Sequence, residues 1–344
     1  MKAAPHENSQ AVLALRLLAG GTEAGGVVWD ELPRVALRNR VLIRLAARLR
    51  GLGVQAPAAF DEAVARERRR AASMFELIGR VSRACERRGV EHIFAKSFQY
   101  YPDMGGDVDL LVTSRAPGVD EPILEGTPSR PVRRDPWGRM SGVTAYRVAG
   151  GETVLEIHHG RLGVLGEHGS LVGQFVRHGR RAEVGGVEFL LPSDEDLLVL
   201  HGMQRVYRHG FIRLCDVLST ASLAARAGLD WDYVLRTSRQ LGTLYGLRSY
   251  LTYVGQVYRE TLERELLPAE LRGRLTVTSC GRGEFRGGVF VFPRGRVAGR
   301  VYVGKVRAAV RAGDWGGVSR LSLMPLVAAT TLTRRLGPRA AATH

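Results

Sequence analysis

Cysteine is nearly absent: Cys85, Cys215 and Cys280 are the only three in 344 residues, far apart and in no CxxC pair. That excludes a disulfide framework and a zinc ribbon, and the default setting is a reducing cytoplasm. Long apolar runs are missing too. "LSLMPLVAATTL" is too short to span a bilayer, and "MKAAPHENSQ" carries polar and acidic residues where a signal sequence needs an apolar core. The expectation is a soluble protein with no transmembrane segment. There is no Gly-x-Ser-x-Gly elbow, no HExxH helix and no histidine–cysteine metal cluster. The glycine-rich "CGRGEFRGG" lacks the Lys-Ser/Thr ending of a P-loop and the spacing of a dinucleotide fingerprint, and reads as a hairpin turn. Acidic residues are outnumbered, 34 against 50 Lys and Arg, for a formal net charge of +16. Lysine itself is scarce, with three in the chain, so the excess is arginine.

What is present is enough for a sizeable core, since 45% of the chain is hydrophobic. Residues 1–91 read as a helical N-terminal region, with apolar residues at three- and four-residue spacing in "WDELPRVALRNRVLIRLAARLRGLG" and "AAFDEAVARERRRAASMFELIGRVSRACERRG". From His92 the period shortens. "HIFA", "GDVDLLV", "VTAYRV", "TVLEIHH" and "VEFLL" are β-branched runs bounded by Gly, Pro or Asp, candidate strands of one sheet within an α/β core at 92–191. A proline-rich stretch, 114–142, separates the second run from the third and reads as a long surface loop or an irregular crossover, a candidate substrate-facing element.

Helix returns over 192–271, opened by the Ser193/Asp196 capping pattern and interrupted after His209. The remainder, 272–344, is a basic C-terminal region with strand-like "RLTVTS" and "GGVFVF". From Arg272 to His344 it holds fourteen Arg or Lys against Glu284 and Asp314 alone, which suits either a polyanionic partner such as nucleic acid or plain solvated charge.

The chemistry concentrates in "FAKSFQYYPDMGGDVDLLV". Residues two apart on a strand share a face, so Asp107 and Asp109 present both carboxylates to one point. Gly105 and Gly106 let the backbone bend there and a ligand come close. Hard oxygen ligands few in number suit Mg²⁺ better than zinc. Glu156, an acid between Leu155 and Ile157, is the best third ligand for a two-cation phosphate-transfer site. A DxD pattern alone is equally a strand-end turn with solvated acids.

The ordered set Lys96-Ser97, "GDVDLLV", "EIHH" and the helical "LLVLHGMQRVYRHGFIRLCDVL" resembles the bacterial nucleotidyltransferase family of the DNA polymerase β superfamily, over roughly residues 30 to 260. The resemblance implies an α+β fold, with a small mixed β-sheet core flanked by N-terminal and C-terminal helical units. It implies that Asp107, Asp109 and Glu156 hold Mg²⁺ or Mn²⁺, that Glu156 helps activate the attacking hydroxyl, and that Lys96 and Ser97 bind the triphosphate of an NTP co-substrate. Ser97 stands where the family has glycine, and the proline-rich loop replaces a helix.

His201, His209 and Asp216 fall on the next helical unit, which in that family packs beside the nucleotide cleft, so the resemblance makes Arg205, Arg208 and Arg213 candidates for the triphosphate; Asp216, in the apolar "RLCDVL", reads as a structural partner for a nearby arginine or histidine. By strand alternation His158 shares the face of Glu156 and His159 points away; His158 either orients Glu156, touches phosphate or is structural. The implied reaction moves a nucleoside monophosphate from an NTP to a hydroxyl on a small molecule, a protein or a tRNA. The competing reading is a nucleic-acid-binding protein on a catalytically silent scaffold, working through the basic C-terminal region.

Overall fold

The computed structural model describes residues 5–132, 136–150 and 153–327, without side-chain detail at 5, 6, 136, 137, 207 and 208. The end of the basic region, 328–344, and the middle of the proline-rich stretch, 133–135, lie outside the described residues. Four helices come first: α1 (Pro5–Leu18), α2 (Leu32–Arg38), α3 (Leu42–Gly51) and the long α4 (Ala58–Arg87). Then the chain turns to strands, β1 (His92–Phe94) and β2 (Asp107–Val112). The proline-rich stretch supplies only short pieces, α5 (Asp120–Ile123), β3 (Ser129–Pro131) and α6 (Pro136–Met140), because its prolines remove the donors that a longer element would use. β4 (Val143–Val148) and β5 (Val154–His159) complete one five-stranded sheet in the order β1-β2-β5-β4-β3. Its central pair, β2 and β5, runs parallel and the other neighbours antiparallel, so the sheet is mixed and the protein α+β.

One expected strand belongs elsewhere. "VEFLL" forms β7 (Val187–Leu191), which pairs with β6 (Arg180–Val184) in a separate two-stranded hairpin rather than with the main sheet. Its partner "RRAEV" has three charged residues in five and gave no strand signal. Similarly, "RLTVTS" is not a strand: helix α12 (Ala269–Leu275) runs into it and ends there.

The remaining helices are α7 (Leu171–His178), α8 (Asp194–Gln204), α9 (Leu214–Ala224), α10 (Trp231–Gln240), α11 (Leu244–Leu262), α13 (Arg294–Arg311) and α14 (Trp315–Ser322). Ser193 caps α8 by accepting from the Asp196 amide at 3.1 Å. A π-helical turn, Arg205–His209, follows, and Gly210 in the left-handed region (φ 75°) ends it. Two short strands, β9 (Glu284–Arg286) and β10 (Val289–Val291), close the glycine-rich hairpin through Gly287 and Gly288, both at positive φ, and β10 also pairs with β8 (Phe211–Ile212).

The sheet lies between two apolar layers. On one face Val108, Leu110, Leu155 and Ile157 pack with Met74, Leu77, Ile78 and Val81 of α4. On the other, Ile93 and Leu111 pack with Leu171, Val172 and Phe175 of α7 and with Leu200 and Met203 of α8. A third core draws together α1 to α3, α8 to α11, β10 and α13, so the first helices and the C-terminal region share one interior. Among the described residues no helix is long and apolar enough to cross a membrane.

Candidate active site

Parallel pairing sets Asp109 directly opposite Glu156. Their strand neighbours Val108, Leu110, Leu155 and Ile157 belong to the layer against α4, so both acids point to the α7/α8 side. His158 follows on the same face. One ligand atom from each of Asp109, Glu156 and His158 lies within 4.8 Å of the others. The charge is tolerated because it is paired: Lys96 Nζ donates to Asp109 Oδ1 at 2.9 Å, and His158 Nε2 sits 3.2 Å from the same oxygen. Burial by itself would raise the Asp109 carboxyl, but Lys96 and His158 outweigh it and hold the group well below the usual carboxylate range.

Asp107 is placed differently. It sits at the open end of β2 with its side chain 48% exposed, 3.8 Å from Arg40 Nη2, and outside the three-residue cluster. The structure thus brings Asp109 and Glu156 together, adds His158, and leaves Asp107 at the rim. His159 points the other way, as alternation requires. Its Nε2 is 2.9 Å from Thr144 Oγ1 and 3.3 Å from Asp120 Oδ1, and burial lowers its pKa.

The loop carrying Lys96 and Ser97 is held at both ends. Tyr100 donates to Asp216 Oδ1, and Arg205 Nη2 donates to the Tyr100 hydroxyl at 2.8 Å. Arg205 Nε also meets Asp216 Oδ1 at 2.9 Å, and Asp216 Oδ2 accepts from the Arg213 amide at 2.9 Å. Arg205 is therefore buried in a network with Asp216, and Asp216 is the structural partner its apolar surroundings suggested. Farther along, Asp103 accepts from the Ile43 amide at 2.6 Å and from Arg44 Nε at 2.9 Å, which ties the loop to the start of α3. Arg70 donates to the carbonyls of Met104 and Gly105 just before the acids. Ser97 is buried, and its Oγ has no hydrogen-bond partner among the described residues.

Arg213 lies over the Phe211 ring, 5.1 Å from its centroid, and its pKa falls through burial and then through the nearby Arg40 and Arg205 guanidinium groups. The side chain of Arg208 lies outside the described residues. His201 is buried near Asp216 and hydrogen-bonds Tyr250 at 3.1 Å; burial pushes its pKa down to about 3. The His209 ring lies 5.7 Å from that of Phe211, tilted by 56°.

Arg40 was not legible as a site residue. It stands at φ 54° after Asn39, in a segment whose pattern is simply helical, and only folding sets it beside Asp107, Gly105 and Arg213. A side chain built on Gly105 would meet Arg40 Nη1 at 2.8 Å, so the bare glycine is what lets this guanidinium reach the rim.

Two acids thus face each other across parallel strands, beside a turn that carries a lysine and a buried hydroxyl. Residues 26–259 match the family model described as an uncharacterised nucleotidyltransferase. The match covers more than half of the chain, which belongs to that family. Comparison with curated proteins and with solved structures gives no significant match.

Proposed function

We propose that the protein transfers a nucleoside monophosphate from an NTP to an acceptor hydroxyl, in a reaction dependent on Mg²⁺ or Mn²⁺. The observation that carries this reading is the register of β2 against β5, which converges Asp109 and Glu156 on the face that Lys96 approaches. The donor set fits a hard cation. It offers the carboxylate oxygens of Asp109 and Glu156 and the His158 imidazole, with ligand atoms within 4.8 Å of one another and no thiolate, and the Asp107 carboxylate stands at the rim beside them. Asp107, Asp109 and Glu156 would hold it, and it would supply positive charge at the transferring phosphoryl group and acidity to the acceptor hydroxyl.

The chain's own residues do the rest. The acceptor oxygen bonds to the α-phosphorus, the bond to the β-phosphate oxygen breaks, pyrophosphate leaves, and the acceptor proton passes to a carboxylate, assigned here to Glu156. Lys96 exchanges its Asp109 contact for phosphate oxygen, and the unpartnered Ser97 hydroxyl donates to another. Arg40, on the rim beside Asp107, and its neighbour Arg213 stabilise the charge of the departing pyrophosphate. Arg205 acts by holding Tyr100, and with it the loop. The acceptor is a small molecule, a protein or a tRNA. Three buried free thiols suit the cytoplasm proposed for it.

The test is incubation of the protein with each α-labelled NTP, Mg²⁺ or Mn²⁺ and a cell extract. Label should appear on an acceptor with wild type and not with Asp109→Asn; transfer of equal extent by both would overturn the reading.

A further inference from the structure

A groove lined by arginines lies away from the acids. Helix α13 packs against the turn between α10 and α11 with almost no space between the backbones: a side chain on Gly242 would stand 2.3 Å from the Gly304 carbonyl oxygen. That close crossing leaves a groove of about 600 Å³ beside it, with Arg239 and Arg248 on one wall and Arg307 and Arg311 on the other. No acid lines it. None of these four arginines has a carboxylate partner among the described residues, and Arg248 Nε is buried with no hydrogen-bond partner at all.

Gln240, Ala308 and Ala312 also line a second cavity of about 420 Å³, whose walls include Arg115 and Arg161 just beyond the ends of β2 and β5. The acids there are already engaged, Glu167 by Lys305 Nζ at 2.6 Å and Asp314 by the Gly317 amide at 2.8 Å. Arg115 and Arg161 crowd Arg320 enough that, after burial, they are the main causes of its lowered pKa.

We propose that this groove is the docking surface for a single-stranded polynucleotide, with α13 and the α10–α11 turn as its two walls. Six arginines spaced along a concave track, with no free carboxylate to oppose them, match a chain of phosphodiesters. Arg307 and Arg311 stand one helical turn apart and present their charges in series. Tyr245 lines the groove with the Arg300 guanidinium over its ring, 5.0 Å from the centroid, which brings a further positive charge beside it. A bilayer is flat on this scale and reaches outer arginines only, whereas an extended strand enters the gap and meets both walls. Lys305 and Glu167 keep α13 in place, so the walls exist before the ligand arrives. The inference goes beyond nucleotide transfer and does not rest on it, because it concerns binding in the absence of NTP.

The test uses the full chain and a labelled oligouridylate, with its deoxy counterpart, followed by fluorescence anisotropy across a salt series. The groove variant combines Arg239→Gln, Arg307→Gln and Arg311→Gln, all exposed positions. The control removes equal charge from α4 with Arg68→Gln, Arg69→Gln and Arg83→Gln, also exposed. Circular dichroism verifies that both are folded. Wild type should bind either oligonucleotide with a steep salt dependence; the groove variant should lose roughly tenfold or more in affinity and about two units of log–log slope, at about 0.7 per lost contact. The control should behave as wild type. Equal losses in the two variants, or no salt-sensitive binding by wild type, overturn the proposal. So does binding to vesicles of anionic phospholipid that the groove variant loses while neither oligonucleotide binds.

Discussion

Asp107 and Asp109 are two positions apart on one strand and do different physical work. Asp109 is buried against Lys96 and His158, whereas Asp107 is half-exposed at the strand mouth. Under the proposed function both Asp107→Asn and Asp109→Asn lower label transfer by roughly a thousandfold, since an amide is a poor ligand for a hard cation and the loss is several kcal/mol of transition-state stabilisation. Only Asp109→Asn should also change stability, by about 1–3 kcal/mol in urea denaturation, because it leaves Lys96 and His158 without their anion. A silent Asp107→Asn in the assay would remove Asp107 from the metal site. Glu156→Gln should lower kcat and kcat/KM together; a change confined to the KM for NTP would place Glu156 outside the chemistry. The scarce lysines fit this scale as well. Of three in the chain, Lys96 and Lys305 each meet a carboxylate, Asp109 and Glu167, where a compact point charge serves better than a guanidinium fork.

Elements position these residues through a few close contacts. Helix α8 crosses α11 with Gly202 against Leu247, and a side chain on Gly202 would stand 2.6 Å from the Leu247 Cα. Its neighbours in sequence, His201 and Arg205, reach Tyr250 and Tyr100, so the crossing sets the network that locks the Lys96 loop. Gly202→Ala must push the helices apart and should cost about 1–3 kcal/mol. It should also reduce transfer although no substrate group is removed; full activity with unchanged stability would show that the crossing tolerates the methyl group. The glycine-rich hairpin works likewise. Asn39 donates to the Gly288 carbonyl at 2.7 Å and accepts from the Leu214 amide at 3.0 Å, so one buried side chain joins α2, the β9–β10 hairpin and the start of α9.

At the scale of the whole molecule, acid should unfold the protein earlier than its carboxylates alone would require. His168 and His201 are buried, and burial pushes their pKa values down to about 4 and about 3. The folded state keeps both neutral while the unfolded chain takes up protons below about pH 6.5, so stability present above that pH is lost as pH falls, by about 1.4 kcal/mol per unit for each group. Glu167, held down to about 2 although burial opposes it, because Lys305 is beside it, adds a further loss as pH drops below about 4.3. Urea midpoints should therefore fall steadily between pH 7 and about 4.5; a flat profile across that range would mean that neither histidine is kept neutral by the fold.

Much of the fold and part of the site could be read from residue order alone, and the reason is local. Strand alternation put Glu156 and His158 on one face and His159 on the other, the Ser193 cap and Gly210 marked the limits of α8 and its π turn, and the ordered motifs identified the family over nearly the span its model matches. These signals depend on backbone periods and capping chemistry that act within a few residues. What lies far apart in the chain was settled by packing. Alternation gives Asp107 and Asp109 the same face but not the same depth, and the pairing of β2 with β5 decides that Asp109 meets Glu156 while Asp107 stays at the rim. No local pattern separates Arg205, buried with Asp216, from Arg213, or marks Arg40 as their neighbour, because a guanidinium's role depends on which distant carboxylate or cation it meets. The same holds for the excess positive charge, whose sum is written in the composition. That Arg239, Arg248, Arg307 and Arg311 line one groove follows from Gly242 and Gly304, which let α13 close against the α10–α11 turn.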